Sequence, residues 1–342
     1  MNAIQILGPE SSPTVSLNRS HPLATPDPAS LDSEVLVRVH SAGLTADELT
    51  WPEVYKASNP SHIPGLDISG VVAALPPIYA GPLSVGDTVY AMLHPDRGKG
   101  QADYVYARAE ELAPKPSSLS HAQAAALPIP ALTAWEALFK RAYSLSMSGS
   151  ISPSSRTKRV LVTGASGAVG SMVVQLAKKV MGATVVALAS AAKHGYLHEL
   201  GADETVDYAA INWEREVGLR SVDAVFDAAG GEVLARAWGT VKDDGVVVTV
   251  ADPPPAWARD KAAVPKELEG RLGVRYIYFI VSPDSEALGK IGELIDEGTI
   301  KPLPIVNFDV DKAIEAWDFA KQRGRQGKVV VDFVRDSVRT TN

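Results

Sequence analysis

Apolar residues follow two different patterns along the chain. Runs in which apolar and polar residues alternate, such as Glu34–His40 and Asp67–Ala73, are typical of the first 127 residues and predict strands of a folded-over β domain. From residue 131 to about residue 281, short apolar runs alternate with stretches of helical spacing. The chain therefore predicts a mostly-β region followed by an α/β region with parallel strands.

The predicted elements of the second region and of the C-terminal part can be placed individually. Strands are predicted at Arg159–Thr163, Thr184–Leu188, Val222–Phe226, Gly245–Val250 and Val274–Ile280. They are followed by a helix at Ser285–Glu297, a strand near Pro304–Phe308, a helix at Val310–Gln322 and a strand at Lys328–Val334. We expect the last strand to rejoin the first region, and the Ser-rich stretch Tyr143–Lys158 to be a loop.

A buried strand, a glycine turn and an amphipathic helix occur together in the run from Val160 to Lys178. Gly164, Gly167 and Gly170 permit a tight turn, the approach of a pyrophosphate and close packing of the helix on the strand. The N–H groups at the start of the helix favour an anion at the turn. Ala165 stands where the usual motif has its first glycine, so the alternative is a turn without a ligand. Because strand, turn and helix agree with the motif, we predict a dinucleotide site.

The end of the second predicted strand bears on which dinucleotide binds. NAD-preferring sites usually carry an Asp or Glu there, which binds the ribose 2′-hydroxyl. Here the strand ends in Ala189-Ser-Ala-Ala-Lys193, which offers the Ser190 hydroxyl and the Lys193 ammonium where a 2′-phosphate would lie. This pattern favours NADPH. The spacing alone supports equally well the alternative that Lys193 is an ordinary solvated lysine.

Composition limits the class of protein. With 342 residues, 46% of them hydrophobic and 21% charged, the chain can form two domains with cores, and it has no run typical of a membrane protein. A net charge of -7 without basic runs argues against nucleic-acid partners and favours small molecules. The absence of cysteine excludes disulfides, thiolate nucleophiles and cysteine zinc sites. No targeting signal is recognisable, so we expect a cytoplasmic protein.

Several segments occur in the order found in a known family. They are Glu34-Val-Leu-Val-Arg-Val, Ala42-Gly-Leu-Thr-Ala-Asp47, Ile63-Pro-Gly-Leu-Asp, Val85-Gly-Asp, Gln101-Ala-Asp-Tyr, Leu132-Thr-Ala-Trp135, the glycine turn, Leu200-Gly-Ala-Asp203 and Gln326-Gly-Lys. On these segments the chain resembles the zinc-independent members of the medium-chain dehydrogenase/reductase superfamily, of the quinone oxidoreductase or enoyl reductase type. The resemblance implies an α/β fold. A Rossmann-type doubly wound parallel sheet in residues 128–281 would bind NADP. A GroES-like mostly-β catalytic domain would comprise residues 1–127 and be completed by 282–342.

The resemblance also implies that no metal takes part. Zinc-using relatives carry a cysteine shortly before the aspartate that matches Asp47, and a His-Glu pair after the Pro-Gly; here these stretches are Leu44-Thr-Ala-Asp47 and Gly65-Leu-Asp67. Without zinc, hydrogen-bond donors must stabilise the developing oxyanion. This favours reduction of a quinone or of a C=C bond conjugated to a carbonyl over the oxidation of a simple alcohol.

Site residues follow from the same resemblance. Tyr55, eight residues after Asp47, is the candidate catalytic residue that would donate a proton, with water as the alternative donor. The expected cofactor contacts are Thr133 beside the nicotinamide ribose, Ser166, Gly167, Ala168 and Val169 in the pyrophosphate turn, Ser190, Lys193 and Tyr208 at the 2′-phosphate, Ala251, Phe279 and Val281 at the nicotinamide end, and Gly327 and Lys328 near the C-terminus.

The resulting functional hypothesis is an NADPH-dependent reductase that transfers hydride to a quinone or an α,β-unsaturated carbonyl without a metal. One alternative is a zinc-free alcohol or carbonyl dehydrogenase of a biosynthetic pathway. The other is an NADPH-binding structural or regulatory protein with little turnover, because fold alone does not determine function. The expected partners are a small-molecule acceptor and, as is common in this family, further copies of the chain in a homo-oligomer.

Overall fold

The computed structural model describes residues 1–23, 34–51, 61–143, 157–251, 253–259, 265, 268, 270–322 and 324–334. The chain forms two compact units. The β unit comprises Met1–Ile129, Ser282–Glu297 and Pro302–Asn342, and the α/β unit comprises Pro130–Val281 and Gly298–Lys301. Within these described ranges no helix is both long enough and apolar enough to span a bilayer.

The strands and helices have the following bounds. The strands are β1 (Ala3–Leu7), β2 (Thr14–Asn18), β3 (Glu34–Gly43), β4 (Ser61–His62), β5 (Asp67–Ala74), β6 (Thr88–Met92), β7 (Tyr104–Arg108), β8 (Leu112–Pro114), β9 (Arg159–Thr163), β10 (Thr184–Ala189), β11 (Glu204–Asp207), β12 (Val222–Asp227), β13 (Val241–Thr249), β14 (Arg275–Tyr278), β15 (Ile305–Asp309) and β16 (Lys328–Asp332). The α-helices are α1 (His121–Ala125), α2 (Pro128–Trp135), α3 (Ala168–Lys179), α4 (His194–Leu200), α5 (Trp213–Val217), α6 (Gly231–Ala237), α7 (Ala256–Arg259), α8 (Ser285–Asp296) and α9 (Ala313–Ala320). A π-helical segment covers Glu136–Ala142, and 3₁₀ segments cover Ala46–Thr50, Ala109–Glu111, Ala191–Lys193 and Val310–Lys312.

The β unit is built on a sheet of seven strands in the order β15-β16-β3-β5-β6-β8, with β7 also paired to β3. All its pairs are antiparallel except β15 with β16, and β1, β2 and β4 form a separate small sheet. Alternate residues of β3, namely Val35, Val37 and Val39, are fully buried, as expected for a strand with one covered face. Both the mostly-β prediction and the return of the last strand to this sheet are confirmed.

The α/β unit contains six parallel strands in the order β11-β10-β9-β12-β13-β14. This order places β9 at the centre, where the direction of strand addition reverses, and the carboxyl ends at that reversal are where such sheets bind ligands. Val160, Leu161 and Val162 of β9 are buried, as a strand covered on both faces requires. The Rossmann-type α/β fold is therefore confirmed.

Several predicted elements have other limits in the structure. The predicted strand at Gly245–Val250 belongs to a longer strand that starts at Val241, where the pairing with β12 is irregular. The predicted helix at Val310–Gln322 starts with a 3₁₀ turn, and its α-helical part covers only Ala313–Ala320. Strand β11, next to β10, was not among the predicted strands. Most of the predicted loop Tyr143–Lys158 lies outside the described residues.

Candidate cofactor and active site

The glycine turn follows β9 and leads directly into α3. Gly164 has a φ of +60°, which favours glycine, and the Gly167 N–H donates to the Gly164 carbonyl at 2.9 Å. Gly167 is the N-cap of α3, and no side chain of the described residues caps this helix end. The first N–H groups of a helix have no partner within the helix. The turn therefore offers backbone donors and the positive end of a helix of twelve residues to an anion.

Close packing of α3 on the turn depends on Gly170. A Cβ atom at this position would lie 2.3 Å from the Gly164 oxygen and 2.7 Å from the Ala165 Cα, which are backbone atoms. A Cβ at Gly167 would come no closer than 3.2 Å to a neighbour, again the Gly164 oxygen. The residues present thus fit a dinucleotide turn: Gly170 brings the helix close, and Gly164 and Gly167 keep the approach to the backbone open.

A small pocket lies at the carboxyl ends of β9, β12 and β13, beside the start of α3. Thr133 and Val169, two of the predicted cofactor contacts, line this pocket together with Gly170 and Val250. Thr133 is buried, as is the strand end Thr163. Ser166, Gly167 and Ala168 lie in the adjoining turn and are at least partly accessible. The structure therefore brings the predicted pyrophosphate residues and Thr133 to one edge of the sheet.

A buried carboxylate, which the sequence analysis missed, connects the strand ends at this pocket. Asp227, at the end of β12, accepts hydrogen bonds from Thr163 Oγ1 at 2.5 Å and from Thr249 Oγ1 at 2.6 Å. The Gly230 N–H also donates to it, at 3.1 Å to Oδ1 and 3.2 Å to Oδ2. Since Thr163 ends β9 and Thr249 ends β13, one side chain joins three adjacent strands. The only sign of these contacts in the sequence was a polar residue at, or within one position of, the end of each of three predicted strands.

The predicted 2′-phosphate residues lie at the carboxyl ends of the neighbouring parallel strands β10 and β11. Ser190 directly follows β10, and the Lys193 N–H donates to the Ser190 carbonyl at 2.9 Å. The Tyr208 N–H donates to the Ala189 carbonyl at 3.3 Å, while its side chain is about half exposed. Lys193 is half-buried, and among the described residues no carboxylate pairs with its ammonium. The three side chains therefore follow two adjacent strand ends.

The predicted nicotinamide residues follow β13 and β14, which are also neighbours. Ala251 and Phe279 are buried, and Val281 is half-buried. The guanidinium of Arg141 lies 5.3 Å from the centre of the Phe279 ring, a cation–π contact, and it is also paired with Glu136 at 2.5 Å. Arg141 and Glu136 both belong to the π-helical segment, which therefore helps to fix the position of Phe279.

The last predicted pair, Gly327 and Lys328, lies in the β unit. Gly327 has a φ of +91°, and its neighbour Lys328 starts β16 with a buried side chain. The Lys328 ammonium lies 3.2 Å from Asp67 Oδ2 and donates to Thr45 Oγ1 at 2.9 Å. In this structure the Lys328 side chain thus belongs to a polar cluster inside the β unit, whose members Thr45 and Asp67 were not predicted as site residues.

A second buried carboxyl belongs to the same cluster. Glu48 Oε1 accepts a hydrogen bond from the Gly65 N–H at 2.6 Å, and burial raises the pKa of Glu48 to about 7. Burial also raises the pKa of Asp67, although Lys328 and the Ile129 N–H, which donates to Asp67 Oδ1 at 2.8 Å, act in the opposite direction. The two buried carboxyls and the one ammonium together have no net charge only if one of the two carboxyls is protonated.

Tyr55, the predicted catalytic residue, lies in the stretch 52–60 outside the described residues and stays a prediction. Among the residues that the structure does describe, no group of three or more His, Asp or Glu side chains is arranged to hold a metal ion.

Comparisons with known proteins cover both units. Residues 31–119 match the model of the alcohol dehydrogenase GroES-like domain, and residues 200–331 match that of the zinc-binding dehydrogenases. The chain is 34% identical to a protein of Arthroderma benhamiae named "Probable zinc-binding oxidoreductase, mitochondrial", over 90% of each chain. It is 33% identical to the 2-methylene-furan-3-one reductase of Solanum lycopersicum, over 88% of this chain and 72% of that one.

This chain is also similar to a solved structure. The quinone oxidoreductase from Coxiella burnetii superposes with a TM-score of 0.78 at 27% identity, covering 98% of this chain and 99% of that one. The chain therefore belongs to the medium-chain dehydrogenase/reductase superfamily, as the sequence predicts. It is an oxidoreductase of this superfamily with a GroES-like domain and a dinucleotide-binding domain.

Proposed function

We propose that the protein is an NADPH-dependent reductase that transfers hydride to a quinone or to a C=C bond conjugated to a carbonyl, without a metal. The choice of cofactor rests on the residues at the end of β10. There, the half-buried Lys193 follows Ser190, and neither the strand end nor the described surroundings supply a carboxylate to pair with it. An unpaired cation next to a hydroxyl suits a 2′-phosphate, which a carboxylate would repel.

The proposed binding roles are those that the family resemblance suggests for these residues. The N–H groups at the start of α3, with Ser166, Gly167, Ala168 and Val169, would bind the pyrophosphate. Ser190, Lys193 and Tyr208 would bind the 2′-phosphate. Thr133, Ala251, Phe279 and Val281 would orient the nicotinamide, and bound NADPH would supply the hydride. Gly327 and Lys328 remain proposed for the cofactor-proximal end of the β unit, and Tyr55 for proton donation.

The choice of acceptor is supported by residue types and by relatives. The stretches Leu44-Thr-Ala-Asp47 and Gly65-Leu-Asp67, where the resemblance locates the cysteine and the histidine of zinc-using members, contain neither residue type. A reaction without a Lewis acid is easiest when the negative charge spreads over a conjugated acceptor. The tomato relative is named a reductase of a 2-methylene-furan-3-one, and the Coxiella neighbour is named a quinone oxidoreductase.

The proposal is tested by NADPH consumption with a panel of quinones, enones, enoyl thioesters, saturated ketones and alcohols, with identification of each product. We expect turnover of quinones or enones, with loss of the enone C=C bond, and no turnover of the matching saturated ketone. Turnover of the saturated ketone or alcohol would instead favour the alcohol or carbonyl dehydrogenase. Binding of NADPH without any turnover would favour the structural or regulatory role.

The cofactor assignment has its own test in Lys193→Glu. We expect this variant to weaken NADPH binding by at least tenfold and NADH binding by less than threefold, because only NADPH carries the 2′-phosphate. Lys179→Glu is a matched control, since Lys179 is an exposed lysine at the other end of α3. Equal losses for both cofactors in Lys193→Glu, or equal effects in the two variants, would contradict the assignment.

A further inference from the structure

A π-helical segment continues the helix that carries Thr133. This segment, Glu136–Ala142, follows α2 directly and packs on β13. Its residue Ala137 lines the same pocket as Thr133. π-Helical turns are rare, and they occur frequently at functional sites. The segment therefore borders the pocket beside the glycine turn, and the segment and the pocket both belong to the α/β unit.

The π-helical geometry explains an ion pair between two residues that are five positions apart. The Nε and Nη2 groups of Arg141 both donate to Glu136 Oε1, at 2.9 and 2.5 Å. In an α-helix of about 3.6 residues per turn, side chains at this spacing point about 140° apart around the axis. In a π-helix, the residue at i+5 lies about one turn beyond residue i, so the two side chains can meet. The ion pair therefore favours the π-helical form of the segment.

The same arginine contacts the residues that follow β14. Its guanidinium lies 5.3 Å from the centre of the Phe279 ring, which is buried. A second contact joins the same two elements, because Arg275 Nη2, at the start of β14, donates to the Ala142 carbonyl at 2.6 Å. The π-helical segment thus holds β14 at its start and Phe279 directly after its end.

Phe279 leaves the sheet next to a residue of the pocket. Strands β13 and β14 are parallel, and Thr249 is paired with Tyr278. The residues that directly follow this pair are Val250, which lines the pocket, and Phe279. The contact between Arg141 and Phe279 therefore acts on the strand end beside the pocket wall.

A contribution to stability alone explains these contacts poorly. The Arg141 side chain is about half exposed, and ion pairs and cation–π contacts at exposed positions stabilise a fold only slightly. The carboxylate of Glu136 is buried, and a buried ion pair is weak evidence for stability. What the two contacts of Arg141 determine is the position of the Phe279 ring relative to the segment.

We propose that Arg141 is a positioning residue for hydride transfer: paired with Glu136, it holds Phe279 so that the nicotinamide of bound NADPH has the reactive orientation. This inference rests on the proposed function, in which Phe279 belongs to the nicotinamide end of the site. Arg141 acts through Phe279 and does not need to touch the cofactor. A small effect on orientation is sufficient, because a misplacement of about 1 Å can cost about 10²-fold in rate.

The test uses the full-length protein with NADPH and the best acceptor from the panel. In Arg141→Met, which removes the charge and keeps a long side chain, we expect the single-turnover rate of hydride transfer at saturating NADPH to fall at least tenfold. The fluorescence emission of bound NADPH should shift towards that of free NADPH, because the reduced nicotinamide is the emitting group. The Kd for 2′,5′-ADP, which has the 2′-phosphate but no nicotinamide, should change less than twofold.

Two further variants keep the test decisive if Arg141→Met folds poorly. Arg141→Met leaves the buried Glu136 carboxylate without its partner, so it is also combined with Glu136→Gln, whose amide is neutral. Phe279→Leu keeps the ion pair and removes only the ring, and it should cause the same selective loss. Adding Arg141→Met to Phe279→Leu should lower the rate by less than a further twofold, because residues that act through one contact are not additive.

Arg236→Met is the matched control. Arg236 Nη2 pairs with Glu214 at 2.6 Å, and its guanidinium lies 5.1 Å from the centre of the Trp213 ring. Arg236 thus makes the same two kinds of contact as Arg141, but with residues that are not among the proposed cofactor contacts. We expect the wild-type rate of hydride transfer in this variant.

The outcomes separate this inference from the function on which it rests. An unchanged rate in Arg141→Met and in its combination with Glu136→Gln overturns the positioning role and leaves the proposed function intact. Equal losses of affinity for NADPH and 2′,5′-ADP also overturn it, because they show that the whole site is disturbed. If the wild type binds NADPH but reduces no member of the panel, the proposed function fails, and an unchanged emission in Arg141→Met then overturns the positioning role as well.

Discussion

Thr249 Oγ1 donates a hydrogen bond of 2.6 Å to Asp227 Oδ2 and so joins the carboxyl ends of β13 and β12. Thr163 Oγ1 binds the other oxygen of the same carboxylate from the end of β9. The Gly230 N–H, in the turn that leads into α6, completes the set. One buried carboxylate thus fixes the strand ends and the turn that line the pocket beside the glycine motif.

We expect Asp227→Asn to lower the free energy of unfolding by about 1–3 kcal/mol, because its amide nitrogen cannot accept a bond where the carboxylate oxygen did. NADPH binding should weaken as well, since the strand ends that line the pocket lose their common partner. Chemical denaturation and fluorescence titration measure the two effects. Asp244→Asn, at an exposed position of β13, is the control and should match the wild type.

Gly170→Ala provides a second prediction, because an added Cβ would lie 2.3 Å from the Gly164 oxygen. The helix must then move away from the turn, which should cost about 1–3 kcal/mol in stability and at least tenfold in NADPH affinity. Gly195→Ala on α4 is the control: nothing lies within 4 Å of its added Cβ, and the better helix propensity of alanine should stabilise the protein slightly. Unchanged NADPH affinity in Gly170→Ala would contradict the assignment of the turn.

The elements around the glycine turn could be predicted because their signals are local. The strand Arg159–Thr163 has the predicted limits, since its apolar run is bounded directly by the glycine turn. The helix that follows has an apolar face and a glycine N-cap, both of which are visible in the sequence. Ser190, Lys193 and Tyr208 were predicted to bind one phosphate. Ser190 and Lys193 follow β10 and Tyr208 follows β11, and the parallel pairing of these two strands places their carboxyl ends at the same edge of the sheet.

The polar clusters could not be predicted because their members are distant in the sequence. Asp227 and Thr163 are 64 positions apart, and their contact depends on the pairing of β9 with β12. Lys328 matched a cofactor-proximal position of the family, but β16 pairs with β3 and brings its ammonium to Thr45 and Asp67. Only the sheet register shows that a lysine near the C-terminus faces a carboxyl near the N-terminus.

The raised pKa of Glu48 predicts a stability that depends on pH. The unfolded chain releases this proton near pH 4.5, whereas the folded protein keeps it up to about pH 7. The stabilising contribution of the protonated carboxyl is therefore complete below about pH 4.5 and is lost as the pH rises through 7. Between these values the Glu48 contribution should fall by about 3 kcal/mol, at 1.36 kcal/mol for each pKa unit.

Glu48→Gln tests this prediction, since a glutamine can still accept the Gly65 N–H but does not ionise. As the pH rises from 4.5 to 7.5, the unfolding free energy of the variant should increase relative to that of the wild type. Glu297→Gln, an exposed glutamate that follows α8, is the control and should show no such gain. A constant difference between Glu48→Gln and the wild type over this range would contradict the raised pKa.

The Asp296 carboxylate, at the end of α8, should have the opposite effect to Glu48: its stabilising contribution should be lost as the pH falls. Its Oδ1 accepts from the Ser118 hydroxyl at 2.6 Å and from the Ser118 N–H at 3.0 Å, and its Oδ2 accepts from the hydroxyl and the N–H of Ser117, both at 2.9 Å. These bonds, those of Ser118 most strongly, hold the pKa of Asp296 well below its usual range.

The stabilisation by the Asp296 carboxylate is complete above about pH 4, the usual pKa of an unfolded aspartate, and is lost as the pH falls through the pKa of the folded state. Asp296→Asn should therefore have a lower denaturation midpoint than the wild type at pH 7, and the difference should shrink steadily between pH 4 and pH 2. A difference that is the same at pH 7 and pH 2 would show that the asparagine acts by another route.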